Sequence, residues 1–146
     1  MHNRICENQF IRDFIKPYII YIRIRKFAQI IPFEFTLKYK ISYEQAHRHF
    51  IDFEVVIDNL NQDEVIIQLP SWRPGRYELG NFAKNIQKWN AFDTKGNVLT
   101  FQKVNKDCWK IISTGCETII VKYNYYANEL TAGSTLLNEE QLYMNP

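Results

Sequence analysis

Phe50 to Leu69 reads "FIDFEVVIDNLNQDEVIIQL", and the period of its apolar residues decides the fold class. Ile51, Phe53, Val55 and Ile57 alternate with Asp52, Glu54 and, past the apolar Val56, Asp58. That is a period of two, which puts one residue set on each face of a strand, not the 3.6 of a helix. The polar turn "DNLNQD" then leads into "EVIIQL", a further strand. Upstream, Phe35, Leu37, Tyr39, Ile41 and Tyr43 alternate with Thr36, Lys38, Lys40 and Ser42 in the same way. Downstream, "IQKWNAFD" and "VLTFQKV" flank the turn signal "TKGN", and "CWKII" and "TIIVKYNYY" flank "STGCE"; each pair predicts a hairpin. Ile119, Val121, Tyr123 and Tyr125 predict the buried face of the last strand. The one helix candidate is a turn or two around Asn81 to Ile86, with Asn81 positioned to cap its first amides. About seven strands with a scrap of helix predict an all-β, antiparallel, two-sheet sandwich-like domain.

The bulk numbers fit that reading. The chain has 146 residues, 46% of them hydrophobic and 15% aromatic. This is one domain's worth of chain, long enough for a sizeable core. A net charge of +2 is too small to imply a nucleic-acid partner. The basic residues concentrate at the front, where Arg4, Arg12, Lys16, Arg23, Arg25, Lys26, Lys38 and Lys40 face only Glu7, Asp13 and Glu34 over residues 1–40. Charges break up the apolar stretch "FIRDFIKPYIIYIRIRKFAQII", so it lacks the roughly 20 apolar residues of a spanning helix. No small-residue cleavage site follows it. Residues 1–33 therefore read as an N-terminal extension of doubtful order, with residues 34–146 as the β domain. Cys6, Cys108 and Cys116 show no CxxC spacing, as expected for reduced thiols in a cytoplasm.

Catalytic signatures are missing from the sequence. There is no HExxH zinc-and-base motif, no GxSxG nucleophile elbow and no glycine-rich phosphate loop. His47 and His49 are the natural metal suspects: on a strand beginning there, they share the face of Ile51 and Phe53. A zinc site needs a third protein ligand, and the remaining histidine, His2, sits in the extension. On ligand count the pair reads rather as two histidines at the end of a core face. Asp52, Glu54 and Asp58 read as the solvated side of a strand.

The densest stretch is "LPSWRPGRYELGNFAKNIQKW", Leu69 to Trp89. Pro70 ends the preceding strand because it has no amide to donate. Arg73-Pro74-Gly75-Arg76 suits a turn with proline second and glycine third. Such a turn gathers Trp72, Arg73, Arg76 and Tyr77 at one end of the sheet. These are the residue types that anchor interfaces, and equally the types that cap a sandwich core.

This stretch resembles the "LPxWxPGxYxxxxFAxxI" signature of the N-terminal domain of the glycyl aminopeptidases, metallopeptidase family M61. The likeness extends through "AHRHFIDFEVVIDN", "FDTKGNVLTFQKVNKDCWKI", "VKYNYYANEL" and "AGSTLLNEEQLYMNP", or roughly Phe35 to Pro146. The resemblance implies an N-terminal β domain of proteins that carry, further along, a thermolysin-like zinc domain with HExxH and commonly a PDZ domain. Such proteins remove N-terminal residues, preferring glycine or alanine. The chain ends at "LYMNP", about where the family runs into its catalytic part, so a truncated or split reading frame is expected. Neither zinc ligands nor a base can be carried over. The resemblance thus implies a non-catalytic module with no cofactor of its own. Its partner would be a separately encoded zinc catalytic domain, with neither nucleic acid nor membrane involved. Trp72, Arg73, Arg76 and Tyr77 are the expected interface. The alternative is a stand-alone sandwich that binds peptide or carbohydrate through Trp72, Tyr77 and Trp89.

Overall fold

The computed structural model describes residues 21–23, 35–71, 79–131 and 134–144. It is an all-β, antiparallel domain, as the period of two predicts. Ten strands are described: β1 (Tyr21–Arg23), β2 (Thr36–Ser42), β3 (Phe50–Asp58), β4 (Glu64–Gln68), β5 (Ile86–Phe92), β6 (Phe101–Asn105), β7 (Cys108–Ile112), β8 (Ile119–Tyr126), β9 (Thr135–Leu137) and β10 (Leu142–Met144). They form a four-stranded sheet in the order β2-β3-β8-β5, a second in the order β1-β4-β7-β6, and the small β9–β10 hairpin.

Alternation places the core between the two large sheets. From β3, Ile51, Phe53, Val55 and Ile57 are buried, and from β8 Ile119, Val121, Tyr123 and Tyr125. The register pairs them directly, Ile51 with Tyr125, Phe53 with Tyr123, Val55 with Val121 and Ile57 with Ile119. The Phe53 and Tyr123 rings stack at 5.0 Å, the kind of cross-strand aromatic pair that stabilises antiparallel sheets. The opposite sheet contributes Val65 and Ile67 from β4 and Trp109 and Ile111 from β7. Partly buried Leu37, Tyr39 and Ile41 of β2 close one side.

The predicted hairpins are rearranged, because the chain crosses repeatedly between sheets. The turn Asp93–Asn97 forms as expected. Gly96 takes φ 85°, and the Asp93 carboxylate accepts from the Lys95 and Asn97 amides, each at 2.8 Å. Its return arm pairs with β5 through only a single bridge, Phe92 to Val98, before the chain enters the other sheet as β6. The hairpin predicted around "STGCE" is not one: β7 pairs with β4 and β6, whereas β8 pairs with β3 and β5. Local turn signals mark where a strand ends and do not reveal which sheet receives the next one. The β3–β4 and β7–β8 crossings run side by side. The Leu60 amide donates to the Glu117 carbonyl at 2.8 Å, and the buried Ser113 hydroxyl donates to the Gln62 carbonyl at 2.7 Å.

The strand β5 carries a bulge that sets its inward face. Its register against β8 slips between Gln87 and Asn90, and Lys88 there takes φ 51°. Without the extra residue, Ile86 and Lys88 would share the buried face. With it, Lys88 is exposed and Trp89 turns inward at 8% exposure. Trp89 then lies 5.5 Å from Trp109 of the opposite sheet, with the rings 5° from parallel, and 4.6 Å from Phe101. Such bulges re-aim side chains at the expense of one ladder pairing.

Replacing Trp89 with alanine is expected to cost about 3–5 kcal/mol, the range for truncating a buried large aromatic, measured by chemical denaturation. Lys88→Gly should leave stability unchanged or raise it by up to about 1 kcal/mol, since glycine accepts positive φ freely. Lys88→Val should lower it, because a β-branched residue resists that conformation.

Candidate functional site

The described residues that flank the signature motif are held by the core. Leu69 is buried, and its amide donates to the Asp107 carbonyl at 2.9 Å. Pro70 is also buried. On the far side, the Gly80 amide donates to the Ser71 carbonyl at 2.7 Å, drawing the two ends together. Gly80 has a steric reason to be glycine: a β-carbon there would lie 2.4 Å from the Phe82 ring. Trp72, Arg73, Arg76 and Tyr77, the expected interface, lie outside the described residues.

Beyond Gly80 the helix candidate is a single 3-10 turn, Phe82–Asn85, and the Asn81 side chain does not cap it. Tertiary contacts fix this turn instead. Ala83 is buried, and the Asn85 side-chain amide donates to the Tyr125 hydroxyl at 3.3 Å. Burial pushes the Tyr125 phenol above its usual value, only partly offset by that hydrogen bond. Lys84 reaches Glu129 at 3.5 Å, linking the turn to the loop after β8. Both side chains are about half exposed, so the pair contributes little stability. Leu79 and Leu130 are 68% and 67% exposed.

The histidines do not form a shared strand face. Strand β3 begins at Phe50, and Ala46–Arg48 is a 3-10 turn that ends at His49 with φ 60°. That reversal separates the two rings. His47 is exposed, whereas His49 is half-buried with Nδ1 2.5 Å from the Leu137 carbonyl. The His49 carbonyl accepts from the Ala127 amide at 2.7 Å, and its ring meets Tyr126 edge-on. His49 therefore ties the start of β3 to β8 and β9. Among the described residues, no three His, Cys, Asp or Glu side chains are placed to hold a metal ion, so zinc chemistry does not fit the residues described.

The outer face of the β2-β3-β8-β5 sheet carries the strand carboxylates, each with a cross-strand partner. Glu54 meets Lys122 at 2.8 Å, and Asp58 meets Lys38 at 2.8 Å and accepts from Thr118 at 2.9 Å. The Lys38 hydrogen bond, helped by Thr118, holds the Asp58 carboxyl below its ordinary range. Asp52 accepts from Asn124 and borders an open cavity of about 270 Å³ with Glu44, Arg48 and Lys88 around it. Partial burial, with the Glu44 charge nearby, pushes the Asp52 carboxyl upward against the opposing effects of Asn124 and Lys88. Sequence reading missed this cavity because it depends on the Lys88 bulge. A glycine-free positive φ leaves no signal in a string of residues.

This is an antiparallel β-sandwich whose most distinctive sequence, the stretch from Leu69 to Trp89, has Ser71 and Gly80 joined by a backbone hydrogen bond. The peptidase M61 N-terminal domain family matches residues 38–146, and the chain belongs to that family. Among solved structures it is similar to an aminopeptidase N family protein from Idiomarina loihiensis, at 26% identity and a TM-score of 0.64. The likeness covers 70% of this chain and 17% of that one. A comparison with curated proteins finds no match.

Gly80→Ala is expected to destabilise by about 1–3 kcal/mol, the usual cost of forcing atoms into a packed site, read as a lower denaturation midpoint. A pH series tests Asp52. Its folded value lies above the ordinary 3.8, so the folded state binds the proton more tightly than the unfolded chain does. Stability from this group is full below 3.8 and is lost as pH rises through the raised value. Asp52→Asn should therefore be the more stable protein at neutral pH, with the advantage fading in acid.

Proposed function

We propose that this domain is a non-catalytic module of an aminopeptidase, packing beside a zinc catalytic domain and forming part of the wall of its cleft. The carrying observation is one of proportion. The chain belongs to a family of N-terminal peptidase domains, and it spans only 17% of the aminopeptidase it resembles in structure. The chemistry of such a protein then resides in the remainder, with the zinc held by the partner domain. Catalysis by this chain alone would need a ligand set that neither its sequence motifs nor its described residues offer.

The signature loop is the proposed contact, with Trp72 and Tyr77 as anchors and Arg73 and Arg76 as polar partners. Its base supports this assignment. The Gly80 amide donates to the Ser71 carbonyl, bringing the two ends of the stretch together, and Leu79 at one end is an exposed apolar side chain. Rigid bases and apolar anchors are what a stable interface needs.

The alternative, an aromatic platform for peptide or sugar, loses one of its three rings. Trp89 is buried against Trp109 and Phe101, where no ligand can stack on it.

Mixing the purified chain with a zinc catalytic domain of the family should give a complex on gel filtration. Trp72→Ala should weaken it at least about tenfold, or 1.4 kcal/mol. Absence of binding, or binding indifferent to Trp72, defeats the proposed contact. The chain by itself should show no turnover of glycyl substrates with or without added zinc; zinc-dependent hydrolysis would overturn the non-catalytic assignment.

A further inference from the structure

We propose that the outer edge of β4 is a strand-accepting site, and that β1, a short piece of the leading segment, is its resident occupant. This inference is independent of the peptidase reading. β1 lies before the family-matched residues 38–146, yet it pairs antiparallel with β4, Tyr21 opposite Gln68, Ile22 opposite Ile67 and Arg23 opposite Ile66.

The need for an occupant lies in β4 itself. Glu64–Gln68 is "EVIIQ", with Val65 and Ile67 buried and Ile66 half-buried between them. On its other side β4 is satisfied by β7 over five registered pairs. Without β1, its remaining amides and carbonyls would form an apolar edge free of charge at its three central positions. Such an edge is a template for pairing with another chain, and native proteins cover it. The other edges of the sandwich are defended in recognisable ways. β2 carries Lys38 and Lys40, β5 is kinked by the Lys88 bulge, and β6 carries Lys103. β4 has no such device among its central residues.

The leading sequence suits the task. Ile20, Ile22 and Ile24 alternate with Tyr21, Arg23 and Arg25, and Lys26 follows. This is a strand period with cationic residues on alternate positions. Once β1 is in place it becomes the new edge, and repulsion between the Arg23 residues of two copies opposes addition of a second. Apolar positions give pairing and basic ones terminate it, so the favoured occupant is the chain's own segment. The ligand class accepted by the β4 edge is an extended peptide of alternating isoleucine and basic or aromatic residues.

Residue-resolved hydrogen exchange on the full chain tests this. In the native protein, the β4 amides that face β1 should be protected. Tyr21→Pro removes a donor from the side of β1 that faces Gln68 and stiffens the strand, and should speed exchange at those amides by about tenfold or more. Amides facing β7 should be unaffected. Adding a synthetic peptide of residues 17–26 in excess should restore the lost protection in trans. A variant that self-associates, and that the peptide returns to monomer, equally supports an accepting edge. If the variant fails to fold, the native protein decides alone: protected amides support the proposal, and amides exchanging at open-chain rates overturn it. A monomeric Tyr21→Pro chain with unchanged exchange also overturns it.

Discussion

The parallel stack of Trp89 on Trp109 is the contact through which the two sheets are locked in position. It joins β5 of one sheet to β7 of the other, with Phe101 of β6 packed against it. The stack exists only because β5 gains one residue at Lys88. Strand parity would otherwise direct a lysine ammonium into the core, where an unpaired charge costs several kcal/mol. A backbone conformation unfavourable for lysine, worth about 1 kcal/mol or more, is thus the smaller of two penalties. The same bulge opens the outer surface beside Asp52 and kinks an exposed edge. One extra residue therefore determines inner packing, outer shape and edge protection together.

Function, on this account, rests on separating a rigid frame from a presented loop. The chain reaches the loop by leaving β4 in one sheet and returns from it into β5 of the other. The connection between them therefore passes from one sheet to the other. Its base is held by backbone hydrogen bonds from Leu69 to Asp107 and from Gly80 to Ser71, so its footing depends little on the side chains it carries.

The strands were legible because alternation is a local property. Ile51 to Ile57 and Ile119 to Tyr125 announce their buried faces without reference to anything else, and all eight residues of those two faces are buried. What could not be read was assignment to sheets. β7 and β8 look like the arms of a hairpin around Gly115, which does take positive φ at 76°, yet they belong to different layers. The distinction depends on the long-range match of β8 to β3. The histidine pair was misread for a related reason: positive φ at His49 breaks the parity on which a shared face depended. The asparagine cap at Asn81 failed because a single turn pinned by Tyr125 and Ala83 gains its order from packing instead.

The central pairing of β3 with β8 also has a consequence in time. Ile57 meets Ile119, and Phe50 meets Tyr126, so the apolar face of β3 has no permanent neighbour in β8 until some sixty more residues have been synthesised. At roughly 5–20 residues per second, that is a wait of several seconds on the ribosome. During it, "FIDFEVVID" is paired along one edge only, with β2, its hairpin neighbour. The acidic residues Asp52, Glu54 and Asp58 that later pair across the sheet thus have an earlier use. Three negative charges on a strand with one open edge are the kind of gatekeeper that opposes aggregation before a core is complete.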